Sequence, residues 1–330
     1  MQAILPAAPG GPETLVLGQV PDPPPPGAGE LLVAVRAVGV NRADCLQRAG
    51  KYPPPPGASE ILGLELAGEV LSTGSGVSGF APGDRVMSLV TGGAYAEKAL
   101  VQAAFSMRVP DACSWEVAGA IPEAFLTAWL NLFTLGELRA GETVLVHAGA
   151  SGVGMAAIQL AREAGARVFT TAGSKSKLEF CRSLGALETF NRREGDWAEA
   201  ARALTEGGKG VDVILDFVGA PYWEQNLRAL RRGGRLCLIG FLGGASGSLN
   251  LAPILGKTLT VRGTTLRRTP DAEKAALVRE FGEFALPRFA DGRLRVPVDR
   301  TFPLADAGLA HAMMERNENA GKLVLRVTGS

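Results

Sequence analysis

Apolar and polar positions change rhythm twice along the chain. Up to about residue 118 the apolar runs are short and β-branched, and glycine or proline breaks them. Leu31 to Val40 reads as a strand, and Asn41 is placed to cap a short helix that ends at Gly50. The prolines at 53 to 56 require an extended loop. Shorter strands are predicted over Ala67 to Leu71, Arg85 to Val90 and Tyr95 to Val101. No helical stretch separates them, so this region is expected to be mainly antiparallel.

From about Ser114, helical stretches alternate with short apolar runs. Strands are predicted at Thr143 to Val146, Arg167 to Thr171, Thr189 to Phe190, Val211 to Leu215, Arg235 to Ile239 and Leu259 to Arg262. Helices are predicted between them, at Val153 to Ala164, Lys175 to Leu184, Asp196 to Leu204 and Tyr222 to Leu230. Gly165 and Gly185 each follow a helix and precede a strand, where a left-handed cap belongs. This alternation predicts a doubly wound parallel sheet of Rossmann type. After about residue 267 it stops, leaving a helix from Asp271, a strand at Val298 to Phe302, a helix from Leu304 and a last strand, Lys322 to Val327.

Composition narrows the function classes. A chain of 330 residues is long enough for two cores. Its 34 basic and 33 acidic side chains leave a net charge of +1, so neither nucleic acid nor an acidic membrane is expected as a partner. Two histidines, His147 and His311, and four scattered cysteines, Cys45, Cys113, Cys181 and Cys237, offer no local zinc pattern and no disulfide framework. A reducing, cytoplasmic location is therefore expected. The uncharged runs after Glu142 and after Arg235 approach the roughly 20 residues of a membrane helix, but their glycines read as a strand opening into a loop. The amino terminus has neither the basic start nor the apolar core of a signal peptide.

The chemistry concentrates after the strand Thr143 to Val146. There Gly152-x-Gly154-x-x-Ala157 opens a helix, which is the dinucleotide fingerprint in its proper context. The glycines permit a tight turn and close approach of a pyrophosphate, Ala157 lets helix pack on strand, and the helix N-terminus attracts phosphate. About 20 residues further on, an NAD site would carry an acid for the ribose 2′-hydroxyl. Here the chain reads Gly173-Ser174-Lys175-Ser176-Lys177, with Arg192 after the next strand, so the expected cofactor is NADPH. His147, ending the first Rossmann strand, reads as a buried structural histidine, and Tyr95 and Tyr222 as strand and helix packing.

Several further motifs are shared with one family. They are Asn41-Arg42-Ala43-Asp44, Arg48-x-Gly50-x-Tyr52-Pro53, Pro55-Pro56-Gly57-Ala58-Ser59, Ala120-Ile121-Pro122-Glu123-Ala124, His147-Ala148-Gly149 before Ser151-Gly152-Val153-Gly154, and Gly321-Lys322-Leu323-Val324-Leu325. On these the chain resembles, over essentially its whole length, the zinc-free quinone oxidoreductases of the medium-chain dehydrogenase/reductase superfamily. It is similar to zeta-crystallin and closest to the branch of the p53-induced NADPH quinone oxidoreductase. Where zinc alcohol dehydrogenases place a cysteine and the histidine of a Gly-His-Glu triplet, this sequence has Asn41 and Leu64, so no metal is expected; Cys45 reads as a structural helix residue.

The resemblance implies a Rossmann domain, 119–267, inserted into a mainly antiparallel GroES-like β domain, 1–118 and 268–330. It implies a cofactor groove lined by Ser151, Gly152, Val153, Gly154, Gly173, Ser174, Lys177 and Arg192. Gly240, Phe241, Leu242, Thr265 and Leu266 would close its nicotinamide end. Asn41, Tyr52 and Thr127 would face nicotinamide and substrate. Lys322 is added as a candidate, although an ordinary surface lysine at a helix-to-strand turn would look the same. The expected activity is transfer of hydride or electrons from NADPH to a quinone, with Asn41 and Tyr52 as hydrogen-bond donors. The alternatives are an enoyl reductase with Tyr52 as proton donor and a non-enzymatic, crystallin-like protein that binds NADPH or RNA. The run 259–264 would be an exposed sheet edge that pairs with its two-fold mate in a homodimer.

Overall fold

The computed structural model describes residues 1–327. The chain divides into two units: Met1–Leu126 with Arg267–Ser330, and Thr127–Leu266. The second lies, in sequence, between the two segments of the first, so an insertion is the observed connectivity. The first break falls later than the expected 118. Residues beyond 118 stay with the first unit because their contacts are there. A side chain at Gly119 would meet the Ala37 carbonyl at 2.7 Å, and the Phe125 ring packs on Phe281 and Phe289, with centroids 6.3 and 5.1 Å apart.

The first unit is built on one seven-stranded sheet. Its order is Val298–Pro303, Lys322–Arg326, Glu30–Val40, Glu65–Thr73, Arg85–Leu89 and Ser106–Arg108, and Lys98–Gln102 pairs with the early part of Glu30–Val40. The pairs are antiparallel except the outermost, Val298–Pro303 with Lys322–Arg326, which is parallel. Along Glu30–Val40, Leu31, Val33 and Val35 are buried in alternation, as expected for a sheet with one covered face. From Ala37 to Val40 every residue is buried. The covered end delivers Asn41. The core gathers Leu31, Val33, Leu66, Val86, Leu323 and Leu325, each contributing about 1.5–3 kcal/mol by leaving water. Two strands near the amino terminus, Gln2–Pro6 and Leu15–Gln19, form a separate hairpin that the apolar pattern does not reveal, because prolines and glycines surround them. The strand expected from Tyr95 begins instead at Lys98, for a reason that the site makes plain.

The second unit is a six-stranded parallel sheet in the order Glu188–Asn191, Arg167–Ala172, Thr143–Val146, Val211–Asp216, Leu230–Leu238, Thr260–Gly263. This is the doubly wound order of a Rossmann sheet. The helices Gly152–Glu163, Lys175–Ser183, Trp197–Ala203 and Trp223–Ala229 fall where the periodicity places them. Its core holds Leu145, Phe169, Trp197, Ile214, Leu227 and Leu236. Thr260–Gly263 is an edge strand.

Candidate functional site

In the first unit, charged side chains are buried around one carboxylate. Glu65 begins its strand with no exposed surface, and Lys322 begins the last strand at 2% exposure. Lys322 Nζ donates to Glu65 Oε1 at 2.7 Å, to Asn41 Oδ1 at 2.7 Å and to the Val40 carbonyl at 3.0 Å. Three ammonium protons meet three acceptors, so this is not the surface lysine that its turn position suggests, and no proton of it is left for a cofactor. Asn41 Nδ2 donates to Glu65 Oε1 at 2.9 Å and to Gly39 O at 3.3 Å. Both amide protons of Asn41 are thus engaged. What it retains is acceptor capacity on Oδ1, rather than the free donor expected from sequence.

The same charges explain the helix that follows. Asn41 occupies the N-cap of Arg42–Arg48, yet its amide is drawn to Lys322 and Glu65. Asp44 does its part of the capping instead, its Oδ2 accepting from Asn41 N at 2.8 Å. Behind Asp44 runs a buried chain. Tyr95 Oη lies 3.2 Å from Asp44 Oδ2 and 2.9 Å from His311 Nε2, and His311 Nδ1 is 3.4 Å from the Arg48 guanidinium. Tyr95 is therefore a polar link rather than strand packing, and the strand starts later because the Tyr95 backbone bonds to Leu62 and Ile4 instead. Burial pushes Asp44 up to about 7 and His311 down to about 3. Cys45, on the same helix, is buried against Met314 with its thiol pushed up to about 12, as a structural residue would be.

Tyr52 sits in the proline loop, half-buried, with the Arg267 guanidinium 5.4 Å from its ring centre. Arg267 donates from Nε to the Thr91 carbonyl at 3.0 Å and is 6% exposed. Burial and the Glu123 carboxylate raise the Tyr52 phenol, so it remains an O–H donor. Glu123 begins the helix Pro122–Trp129, its N–H donating to Glu65 Oε2 at 2.8 Å. Sequence motifs contained Asp44, Glu65 and Glu123 without giving them a role, and Arg267 was missed. One signal was available for Glu65, an acid set in the apolar run Leu62-Gly63-Leu64-Glu65-Leu66-Ala67. Thr127 is the first residue of the second unit, buried, with its carbonyl accepting from Asn131 Nδ2 at 2.9 Å. It is not brought together with Asn41 and Tyr52 inside one unit.

In the second unit the cradle is backbone. The strand Thr143–Val146 ends at His147, and Ala148 takes a left-handed φ of 47° to start the turn. Ser151 caps the helix Gly152–Glu163 by accepting from Gly154 N at 3.1 Å. The N–H groups of Gly152 and Val153 make no hydrogen bond among the described residues. Two open donors at a helix start fit the pyrophosphate of a dinucleotide. Gly154 is required by the chain's own turn, since a Cβ there would meet Ala148 O at 2.4 Å and Gly149 Cα at 2.7 Å. His147 is fully buried, its Nδ1 2.9 Å from Thr171 Oγ1 and its Nε2 2.7 Å from Asn226 Oδ1, and burial lowers its pKa. It is a structural histidine.

At the end of the next strand, Ser174 caps Lys175–Ser183 by accepting from Lys177 N at 3.3 Å. The Arg192 guanidinium covers Gly173, with Nε 3.0 Å from where a Cβ would stand. Tyr222 packs edge-on against His147, with ring centroids 4.8 Å apart, as a packing residue would. Gly240, Phe241 and Leu242 follow the strand Leu230–Leu238, and both Phe241 and Leu242 are 55% exposed. Thr265 is exposed, and Leu266 is buried at the end of the unit.

Residues 152–282 match the family of zinc-binding dehydrogenases, and residues 27–111 match the alcohol dehydrogenase GroES-like domain. A quinone oxidoreductase of Escherichia coli, solved in complex with NADPH, is 33% identical and superposes with a TM-score of 0.87, covering 99% of this chain and 100% of that one. The chain belongs to the medium-chain dehydrogenase/reductase superfamily. An NAD-dependent alcohol dehydrogenase of this fold is 34% identical, with a TM-score of 0.87 over 99% of this chain and 100% of that one. A mycocerosic acid synthase-like polyketide synthase of Mycobacterium tuberculosis is 35% identical over 92% of the chain. The chain spans 14% of the length of that relative and 5% of the polyketide synthase GfsB of Streptomyces halstedii.

Membership makes the chain an oxidoreductase with a Rossmann unit for a nicotinamide cofactor. A zinc ion does not fit the residues present. Among the described residues no three His, Cys, Asp or Glu side chains are grouped to hold a metal. At the two positions that the resemblance assigns to zinc ligands stand Asn41, tied to Lys322, and Leu64, an apolar side chain 1% exposed.

Proposed function

We infer that this oxidoreductase uses NADPH to reduce a quinone, in the manner of the zinc-free quinone oxidoreductases. The observation that carries the reading is the Glu65–Lys322–Asn41 lock, which puts a hydrogen-bonded amide where a metal ligand would stand. NADPH, when bound, supplies the hydride. Gly152 and Val153 offer N–H groups to its pyrophosphate, and Ser174, Lys177 and Arg192 offer a hydroxyl and two cations to a 2′-phosphate. Asn41 Oδ1 accepts from a ribose hydroxyl or from the carboxamide, and Tyr52 donates to the acceptor oxygen that gains charge. A quinone suits such a site because its reduced form is an aromatic diol, reachable without Lewis-acid help. The likeness to quinone oxidoreductases across the whole chain supports this reading.

A second reading, conjugate reduction of an enoyl thioester, is favoured by the match to segments of polyketide synthases. The test compares NADPH and NADH oxidation by the purified enzyme with ortho- and para-quinones and with 2-enoyl thioesters. Quinone turnover at least tenfold above enoyl turnover is expected. Faster enoyl turnover, lost in Tyr52→Phe, would replace the quinone reading by the enoyl one. Tight NADPH binding with no turnover on any acceptor would favour a cofactor-binding, crystallin-like role.

For assembly, the edge strand Thr260–Gly263 and the exposed Leu249, Leu251 and Leu255 near it support a homodimer in which this edge pairs with its mate. Sedimentation at micromolar concentration should give a dimer, and a monomer would refute it. The four cysteines, free and buried, suit the reducing cytoplasm.

A further inference from the structure

Reduction by hydride transfer takes up one proton for each acceptor, and the groups of the buried lock have none to spare for it. Asn41 and Lys322 have committed theirs to protein acceptors. Glu123 has not. Its backbone N–H is fixed on Glu65 Oε2, while the other oxygen of Glu65 holds Asn41 and Lys322, so one carboxylate sets the start of this helix and the Asn41 amide on its two sides. The Glu123 carboxyl makes no hydrogen bond or ion pair among the described residues, and it is half-buried rather than sealed. Five ionisable groups on separate elements act on it electrostatically. They are Glu65 on its strand, Asp44 on the helix Arg42–Arg48, Lys322 on the last strand, Arg267 on the turn Leu266–Arg268 and Tyr52 in the proline loop.

We propose that Glu123 is the acid of this site, delivering to the acceptor the proton that completes its reduction. The inference rests on the reductase reading but not on the choice of acceptor. A quinone that receives a hydride from the nicotinamide gains two electrons and one proton and is left with one oxyanion. The O–H bond of Glu123 breaks, an O–H bond forms on that oxygen, and the Glu123 carboxylate takes a proton back from solvent. With an enoyl substrate the same proton goes to the α-carbon of the enolate.

Electrostatics favour the protonated form at rest. Burial, with the Glu65 and Asp44 carboxylates close by, pushes Glu123 up to about 8, although Lys322 and Arg267 pull the other way. Tyr52 is raised above the ordinary phenol range by burial and by Glu123 itself, so the carboxyl is the better matched acid at neutral pH. Tyr52 then orients the acceptor and Glu123 supplies it.

The experiment measures kcat against pH for the full chain, with NADPH and a para-quinone, in wild type, Glu123→Gln and Glu123→Asp. The wild-type rate should fall tenfold per pH unit above about pH 8. Glu123→Gln should lower kcat by about 10²-fold or more and remove that limb, with NADPH affinity unchanged within about twofold. Glu123→Asp should restore part of the rate together with the limb. Independently of turnover, the infrared spectrum at neutral pH should contain a protonated carboxyl band that Glu123→Gln removes. A Gln variant that keeps wild-type kcat and its alkaline limb would overturn the proposal, as would a carboxyl band already absent at neutral pH. A wild type inactive with quinone and enoyl acceptors alike would instead overturn the reductase reading, and the acid role with it.

Discussion

In the second unit, a single stretch from His147 to Gly154 makes the cradle, and its donors are backbone N–H groups. In the first unit, Asn41, Glu65, Glu123 and Lys322 come from four separated stretches, and their side chains do the work. The difference lies in what holds each together. A backbone cradle is set by local dihedrals and capping, so it tolerates changes that keep the Gly154 turn and a cap. A buried charge lock has no local support. Each of its members is desolvated, and each is tolerable only while the others are present.

The largest effect should come from breaking the lock. Lys322→Met leaves the Glu65 carboxylate buried without its cation, at an expected loss of about 3–5 kcal/mol in denaturant unfolding. The double change Lys322→Met with Glu65→Leu should recover a good part of that loss. If the single change costs under about 1 kcal/mol, the two regions do not differ as described.

Next in size is a pH effect confined to the first unit. The carboxyl of Asp44 is raised in the folded state to about 7, so unfolding releases its proton in the range between its usual value and 7. Stability from this group is full below pH 4 and is lost as pH rises to 7, at about 1.4 kcal/mol per pH unit. Asp44→Asn should remove that slope, which urea unfolding across pH 4.5 to 7 would measure. A slope unchanged by the substitution would show that Asp44 is ionised as readily folded as unfolded.

The cradle should respond in binding more than in stability. Gly154→Ala places a Cβ 2.4 Å from the Ala148 carbonyl, which forces the turn to shift under the open N–H groups. NADPH affinity by fluorescence titration should fall about 100-fold, roughly 2.7 kcal/mol, with a smaller loss of stability. Retention of affinity within threefold would mean that the turn does not set the pyrophosphate donors. The smallest effect is at the phosphate end. Arg192→Ala should weaken NADPH about tenfold and NADH hardly at all, because one charge-assisted contact of about 1.4 kcal/mol is removed. Equal weakening of both would assign Arg192 to packing over Gly173.

These two regions were also unequally legible. The fingerprint and the cations after the second strand could be read because each depends on residues a few positions apart, whereas the Ser151 cap emerged from the structure. The Rossmann strands and helices were readable for the same reason, since period and punctuation are local. Asn41 and Lys322 were recognised as positions, but not as partners, and Asn41 was expected to have a free donor that Lys322 and Glu65 leave it without. Tyr95 looked like strand packing because the apolar pattern around it does not reveal a hydroxyl 2.9 Å from His311.

The sequence by itself therefore determined the alternating Rossmann segment, its insertion between two β-rich segments, and the glycine turn with its neighbouring cations. Short-range sterics, capping and periodicity decide those features, and they act along the chain. Only the tertiary structure decided which charges are buried together. The antiparallel pairing of Lys322–Arg326 with Glu30–Val40, and of Glu30–Val40 with Glu65–Thr73, brings Lys322, Asn41 and Glu65 to one end of the sheet. Strand register over hundreds of residues fixes that meeting, and desolvation then makes the three charges and dipoles depend on one another.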